Sequence, residues 1–204
     1  MKQISTLLLV LCFGILSFAH AESPKGPEIG KKAPDFKLPD AHGKEHMLSN
    51  FEGRYVVLEW LNHDCPFVVK HYASGNMQML QERYRDKGVV WLSIISSAPG
   101  KQGYLEPEQA IKVTKEKKAK PTAVLLDPEG KVGRAYDARV TPHMYIIDPE
   151  GMLVYMGAID DIRSTSVDDV EGARNYVSEA LDLLLAGEKV KKAATQPYGC
   201  TVKY

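Results

Sequence analysis

Two apolar runs rich in β-branched and aromatic residues, at 55–61 and 88–96, stand on either side of a segment in which Pro66 favours the start of a helix. Each run has the composition of a buried strand, because a strand covered on both faces carries no alternating polar residues. A polar helix is predicted at 106–118 and a third short strand at 122–127. This alternation of strands and helices predicts an α/β fold.

The second half of the chain contains the sequence Asp-Pro-Glu-Gly twice, at 127–130 and 148–151, and each copy is typical of a tight turn. The second turn joins two strand-like runs, 144–147 and 152–155, into a hairpin. A last helix is predicted at 168–186, where apolar residues recur at helical spacing. The fold class predicted is therefore α/β, with a central mixed β-sheet flanked by helices.

Composition limits the classes of function. The chain has 204 residues, of which 44% are hydrophobic, so it can bury the core of one ordinary domain. Its 26 basic and 26 acidic residues balance, and no long block of like charge suggests a nucleic-acid partner. No motif indicates a bound organic cofactor.

The first 21 residues have the pattern of a secretory signal peptide. Lys2 supplies the positive start, an apolar run follows at 7–18, and small residues, Ala19 and Ala21, occupy the two positions that a signal peptidase recognises. The apolar run is shorter than the roughly 20 residues that a membrane-spanning helix needs, which argues against an anchor. We expect cleavage before Glu22, no stable membrane insertion afterwards, and a periplasmic or secreted protein.

Removal of the signal peptide leaves two of the three cysteines, Cys65 and Cys200, in a compartment that favours oxidation. Their spacing does not say whether the two sulfurs meet. The predicted division of the chain is a signal peptide at 1–21, a linker at 22–31, the main domain at 32–188, and a C-terminal tail at 189–204 that carries Cys200.

Cys65 follows a predicted strand and precedes a predicted helix. It can therefore serve as the N-cap of that helix, with Pro66 at the first helical position. Unpaired backbone N–H groups and the helix dipole favour a thiolate there, and the thiolate is the reactive form. The neighbouring carboxylate of Asp64 would raise the pKa of the thiol, whereas His63 or Lys70 would lower that pKa.

Three histidines could lie near the same sulfur. His63 and His71 flank Cys65, and His143 follows a Thr-Pro pair later in the chain. Copper or zinc can use such a set of ligands, although surface and loop histidines are the commoner case and no Cys-x-x-Cys pair is present. A copper- or zinc-handling module without turnover is therefore an alternative, with His63, Cys65 and His143 as its ligands.

Five features of the sequence together resemble one protein family. They are KAPDFKL at 32–38, the strand–loop–helix unit containing Cys65-Pro66, the Thr141-Pro142 pair before an IIDPEG hairpin, GAID at 157–160, and the tail GCTVKY at 199–204. The combination is similar to the alkyl hydroperoxide reductase/thiol-specific antioxidant, or redoxin, group of the thioredoxin-like superfamily. Within that group it resembles the peroxiredoxin-like branch with a Gly-Cys-x-x-Lys-aromatic tail. The resemblance implies a thioredoxin-like fold and a thiol-dependent oxidoreductase.

The resemblance also implies roles for the matching residues. Cys65 would be the attacking thiol, Pro66 would begin its helix and shield it, and Pro142 would be a cis proline facing the cysteine. The backbone of Thr141 would then be free to pair with an extended substrate or partner chain. Peroxides or disulfides would be the substrates, and an external thiol, small or thioredoxin-like, would be the reductant. The supporting residues of the expected site are Asn62, His63, Pro66, Thr141 and Pro142.

Cys200 has two interpretations. As a resolving thiol it would condense with oxidised Cys65, and an external thiol would then restore both. As a structural residue it would hold the tail to the body or pack as a small apolar side chain. Tyr198 and Tyr204 favour a packed tail, and Gly199 permits either arrangement.

The sequence departs from two catalytic patterns. A peroxidatic loop usually reads Pro-x-x-x-Thr/Ser-x-x-Cys, whereas Leu58 and Asn62 occupy the proline and hydroxyl positions here. Asn62 also stands where a Cys-x-x-Cys pair would have its first cysteine, and Arg139 is the nearest candidate for the peroxiredoxin arginine. Peroxide reduction, thiol–disulfide exchange or redox sensing with protein partners, metal handling, and a redoxin fold kept for interaction all remain open.

The adjacent carboxylates of Asp160 and Asp161 could form a paired acid–base site. A pair at the end of a strand more often caps a turn or a helix, and a similar Gly-x-Ile-Asp stretch follows the last strand in members of the redoxin group. We therefore assign both residues to structure and leave them out of the expected catalytic set.

Overall fold

The computed structural model describes residues 26–204. The predicted signal peptide at 1–21 and the first residues of the predicted linker lie outside this range. Among the described residues, no helix is both long enough and apolar enough to cross a membrane.

Strands and helices alternate along the described chain, as the sequence predicts. The elements are, in chain order, β1 (Lys37–Pro39), β2 (Glu45–Met47), β3 (Val56–Trp60), α1 (Pro66–Ala73), α2 (Asn76–Arg85), β4 (Val90–Ile95), α3 (Pro107–Glu116), β5 (Ala123–Leu126), α4 (Lys131–Ala135), β6 (Val140–Thr141), β7 (His143–Ile147), β8 (Leu153–Gly157), α5 (Asp169–Gly172), α6 (Tyr176–Leu185) and β9 (Cys200–Thr201).

Within residues 26–204, five strands form the central sheet in the order β5–β4–β3–β7–β8. β3, β4 and β5 are parallel, whereas β7 runs antiparallel to both β3 and β8. The predicted mixed sheet flanked by helices is therefore confirmed. The hairpin predicted at the second Asp-Pro-Glu-Gly turn is formed by β7 and β8.

The central sheet separates two apolar cores. On one face, Val68 of α1 and Leu181 of α6 pack in the same cluster as Val57 of β3. On the other face, Val132 of α4 packs in a cluster with Leu58 of β3. β3 feeds both clusters because successive side chains of a strand point to opposite faces. A strand covered on both sides holds the loop that follows it, and Cys65 lies at the end of that loop.

The single helix predicted at 168–186 is wrong. The structure has two shorter helices, α5 and α6, because Ala173 adopts an extended backbone and ends the first. Asn175 then caps the second, its side-chain oxygen accepting a hydrogen bond from the backbone N–H of Ser178 at 2.9 Å. Asparagine stabilises a helix better at the N-cap than in the interior, and this outweighs the continuous apolar pattern.

Glu59 of β3 is fully buried, and its carboxyl group lies on the face of the sheet that α1 and α2 cover. Its oxygens accept hydrogen bonds from Trp91 Nε1 at 2.8 Å and Ser93 Oγ at 2.9 Å. Tyr72 Oη at 2.7 Å and Gln81 Nε2 at 3.1 Å also donate to it. Burial raises the pKa of Glu59, although these four donors act in the opposite direction.

The raised pKa of Glu59 makes a contribution to folding that depends on pH. Glu59 stays protonated to a higher pH in the folded state than in the unfolded state. Its contribution to stability is therefore full below the unfolded pKa and is lost as the pH rises through the folded pKa. Glu59→Gln cannot ionise, and we expect it to cost about 1–3 kcal/mol at low pH because its amide N–H groups meet donors. The difference in unfolding free energy between parent and variant should shrink as pH rises, as measured by urea unfolding.

The exposed Glu45, which pairs with Lys37 on the surface, provides the control. Glu45→Gln should give a small difference that follows no such trend, because exposed ion pairs contribute little to stability. A difference for Glu59→Gln that stays constant with pH would contradict the assignment.

Candidate functional site

Cys65 caps the helix that follows it, as the sequence predicts. Its backbone is extended, Pro66 occupies the first turn, and its carbonyl oxygen accepts hydrogen bonds from the backbone N–H groups of Val68 at 2.9 Å and Val69 at 2.8 Å. The side chain has no exposed surface. The sulfur therefore lies at the positive end of α1, shielded from bulk water.

The loop between β3 and α1 is shaped by Asn62. Its carbonyl oxygen Oδ1 accepts a hydrogen bond from the backbone N–H of Asp64 at 2.9 Å, and its backbone oxygen accepts from the N–H of Cys65 at 3.0 Å. The amide nitrogen Nδ2 donates to the carbonyl of Gln102 at 3.3 Å. Asn62 thus fixes the turn into α1 and binds it to the loop between β4 and α3.

The Thr141–Pro142 peptide bond is cis, as predicted. The carbonyl oxygen of Thr141 lies 3.1 Å from Cys65 Sγ. Thr141 Oγ1 is buried and has no hydrogen-bond partner among the described residues. This arrangement places β6 in contact with the sulfur of Cys65.

The expectation that Thr141 offers a free backbone edge is wrong. β9 pairs antiparallel with β6, with Cys200 opposite Thr141, so the tail of the same chain occupies this edge. Gly199 makes the approach possible, because its φ is +148° and a Cβ there would overlap the carbonyl oxygen of Thr141. Only glycine combines this backbone angle with so close a contact.

The pairing of β6 and β9 brings the two sulfurs together. Cys65 Sγ and Cys200 Sγ are 2.8 Å apart, and both cysteines are free thiols. Burial raises the pKa of Cys65, but donors from Cys200 and the backbone N–H of Val68 outweigh it and hold the pKa below the usual value. Burial and the Cys65 sulfur raise the pKa of Cys200 to about 11. Of the two thiols, that of Cys65 therefore loses its proton at the lower pH.

Neither of the two cations suggested by the sequence lowers the pKa of Cys65. His63 has its own pKa lowered to about 4 by burial, so the ring is neutral, and it packs edge-on against Tyr72 with a centroid distance of 5.2 Å. Lys70 is buried and pairs with Asp160 at 3.2 Å. Hydrogen bonds, rather than neighbouring charge, favour the thiolate.

The other suspected ligands are engaged elsewhere. His143 Nδ1 lies 3.0 Å from the hydroxyl of Tyr145, and His71 Nδ1 lies 2.9 Å from the side-chain amide of Asn76. Among residues 26–204, no three His, Cys, Asp or Glu side chains form a group that could hold a metal ion. The suspected set of His63, Cys65 and His143 therefore does not form such a group. Arg139, the candidate peroxiredoxin arginine, is exposed and pairs with Asp137 at 2.7 Å.

Asp160 does more than the turn-capping role assigned from the sequence. It accepts a hydrogen bond from the backbone N–H of Ile162 at 3.2 Å, but it also contacts Lys70 of α1 and the hydroxyl of Tyr198 in the tail. A lysine inside the otherwise apolar segment PFVVK of α1 was the sequence signal for this cluster. A buried lysine requires a buried acid.

The family profile described as AhpC/TSA matches residues 29–156. Thiol-disulfide oxidoreductase ResA of Bacillus thuringiensis is 33% identical over 87 residues, which cover 41% of this chain and 49% of ResA, so the match spans about half the length of that relative. Peroxiredoxin Bcp of Bacillus subtilis is 27% identical over 176 residues, which cover 77% of this chain and 94% of Bcp.

One similar solved structure is that of an uncharacterized conserved protein from Geobacillus kaustophilus. It has 30% sequence identity and a TM-score of 0.73, and the alignment covers 87% of this chain and 92% of that protein. The similarity thus extends over most of the described residues, including part of the chain beyond the family profile.

Proposed function

This chain belongs to the AhpC/TSA family and has a thioredoxin-like fold, and on that basis we propose that it is a thiol-dependent oxidoreductase that reduces peroxides or small disulfides. Cys65 is the attacking thiol and Cys200 the resolving thiol. The observation that carries the proposal is the contact of their sulfurs, 2.8 Å apart at the N-terminus of α1.

With a peroxide, the Cys65 thiolate attacks one oxygen, so that an S–O bond forms and the O–O bond breaks. Water or an alcohol leaves, and Cys65 becomes a sulfenic acid. The thiol of Cys200 then condenses with it, forming the disulfide and releasing water. With a small disulfide, the Cys65 thiolate attacks one sulfur, which forms a mixed disulfide and releases the first thiol. Cys200 then attacks Cys65 Sγ in the mixed disulfide, which forms the Cys65–Cys200 disulfide and releases the second thiol. Two equivalents of an external thiol restore both cysteines.

The tail supports small oxidants rather than polypeptides as substrates. Cys65 has no exposed surface, and β9 occupies the backbone edge of Thr141 that an extended chain would need. A peroxide or a low-molecular-weight disulfide needs no such edge. Thiol–disulfide exchange with protein partners, the second candidate, would require the tail to leave β6 first.

The residues around Cys65 are compatible with both a peroxide and a small disulfide as the oxidant. Asn62 stands in place of the hydroxyl residue of peroxidatic loops, and Arg139 points to Asp137. We assign Asn62 the role of holding the loop before α1, and Pro66 the role of starting that helix. Thr141 and Pro142 form the backbone edge on which the tail binds. His63 packs against Tyr72 and supports the loop as a neutral ring.

The amino-acid pattern at 1–21 supports export to the periplasm or the cell exterior. After cleavage before Glu22, the working protein consists of the linker at 22–31, the domain at 32–188 and the tail at 189–204. Since an exported thiol pair is exposed to oxidants, turnover requires an external thiol reductant in the same compartment.

The test is the reaction of the fully reduced protein with hydrogen peroxide and, separately, with glutathione disulfide. We expect thiol loss faster than for a free cysteine with at least one oxidant, and mass spectrometry should show a Cys65–Cys200 disulfide as the product. The faster oxidant identifies the substrate class. Thiol loss no faster than for a free cysteine with both would reject the proposal.

The lowered pKa of Cys65 predicts a specific dependence on pH. Alkylation of Cys65 by iodoacetamide, followed by peptide mass spectrometry, should reach half its maximal rate at a lower pH than that of an ordinary cysteine. Cys200→Ala removes the S–H donor and should move this midpoint to higher pH. A midpoint that Cys200→Ala leaves in place would contradict the assigned hydrogen bond.

A further inference from the structure

Tyr198 lies two residues before Cys200 and is buried against the helix that carries Cys65. Its hydroxyl donates a hydrogen bond to Asp160 Oδ1. Its ring packs edge-on against Phe67 of α1, with a centroid distance of 5.6 Å, and Lys70 Nζ lies 5.9 Å from the ring centre. The tail is thus bound to α1 immediately before the resolving cysteine.

The acceptor of this hydrogen bond is held in place by charge. Asp160 Oδ2 lies 3.2 Å from Lys70 Nζ, and both side chains are almost completely buried, at 2% and 0% exposed. Lys70 Nζ also donates to the backbone carbonyl of Ile162 at 2.9 Å. A buried ion pair whose donors are satisfied holds both side chains in position, because moving either one leaves a buried charge without a counterion.

The third polar neighbour does not add charge. His71 Nε2 lies 3.8 Å from Asp160 Oδ2, and burial lowers the pKa of His71 to about 4. The network therefore holds one positive and one negative group, with Tyr198 as the hydroxyl that joins the tail to them. Lys70 is five positions after Cys65 on the same helix segment, so the network connects the two cysteine-bearing segments.

We infer that Tyr198 is a positioning residue for the redox pair: through Asp160 and Lys70 it holds the tail so that Cys200 Sγ remains against Cys65 Sγ. This inference rests on the proposed function. The pairing of β6 and β9 is only two residues long. The tail is also held on either side of it, where Thr195 Oγ1 accepts from the N–H of Ala158 at 2.9 Å and the Tyr204 hydroxyl donates to the carbonyl of Ala138 at 2.7 Å. Tyr198 is the tail side chain that contacts α1 directly before Cys200. A hydrogen bond to a carboxylate is stronger than one between neutral groups, and here it acts two residues before the resolving cysteine.

The test is the equilibrium between dithiol and Cys65–Cys200 disulfide in glutathione buffers, for the parent and Tyr198→Phe. The variant keeps the ring and loses the hydroxyl. We expect its equilibrium constant for disulfide formation to fall about tenfold, because part of the reduced population loses the docked tail. The reduction potential of the pair should rise correspondingly.

Tyr84→Phe is the matched control. Its hydroxyl is also buried and bonds to the carbonyl of Ser178 at 3.0 Å, between α2 and α6 and away from the tail. We expect the parent equilibrium constant to be retained. An unchanged constant in Tyr198→Phe, or an equal fall in Tyr84→Phe, would overturn the inference. A parent that forms no Cys65–Cys200 disulfide in any glutathione buffer would reject the proposed redox pair itself.

Discussion

Cys65→Ser is expected to lower the turnover of peroxide or glutathione disulfide by at least about a thousandfold, because a serine hydroxyl is not a nucleophile at neutral pH without a strong base. The ring of His63 is not such a base, because burial lowers its pKa to about 4. The measurement is oxidant consumption with dithiothreitol as reductant.

Cys200→Ser separates the two cysteine roles. It should retain the first oxidation of Cys65 but form no internal disulfide, and excess peroxide should convert Cys65 to the sulfinic acid. Retained turnover in Cys65→Ser would place the chemistry elsewhere. If Cys200→Ser resists overoxidation of Cys65 as well as the parent does, Cys200 is not the resolving thiol.

Gly199→Ala is expected to lower the equilibrium constant for Cys65–Cys200 disulfide formation by about a hundredfold. The backbone angle of +148° is strained for alanine, and the added Cβ would overlap the carbonyl oxygen of Thr141. The tail strand must then shift, and the sulfur of Cys200 moves with it. Glutathione titration with peptide mass spectrometry measures the change.

Gly187→Ala provides the control for backbone strain. Gly187 also has a positive φ, +77°, but a Cβ there meets no atom within 4 Å. This variant should lose about 1 kcal/mol of stability and keep the disulfide equilibrium of the parent. An equal fall in the disulfide equilibrium constant in Gly187→Ala and Gly199→Ala would show that backbone strain, rather than the contact of Gly199 with Thr141, causes the fall.

The predictable parts of this fold are those governed by local rules. The buried strands were evident from the apolar runs at 55–61 and 88–96, and the start of α1 from Cys65-Pro66. Such features depend on a few neighbouring residues. The helix break at Asn175 is also local, since an asparagine before Tyr176 is an N-cap signal, but it stands within a continuous apolar periodicity that predicts a single helix.

The unpredicted parts depend on contacts between distant positions. Cys65 and Cys200 are 135 positions apart, and nothing in their spacing places β9 on the edge of Thr141. The charges nearest to Cys65 in sequence were also misleading. Lys70 forms an ion pair with Asp160, ninety positions away, whereas the pKa of the thiol depends on groups that the fold brings into contact with it.

The separation of 135 positions has a consequence for biosynthesis. A ribosome makes the chain from the N-terminus, so Cys65 emerges long before its partner sulfur exists. During that interval Cys65, the proposed nucleophile, has neither the S–H donor of Cys200 nor the covering strand β9, and its thiol is exposed to solvent. Chaperones or reductants that act on the newly made chain would therefore keep Cys65 reduced until β9 pairs with β6.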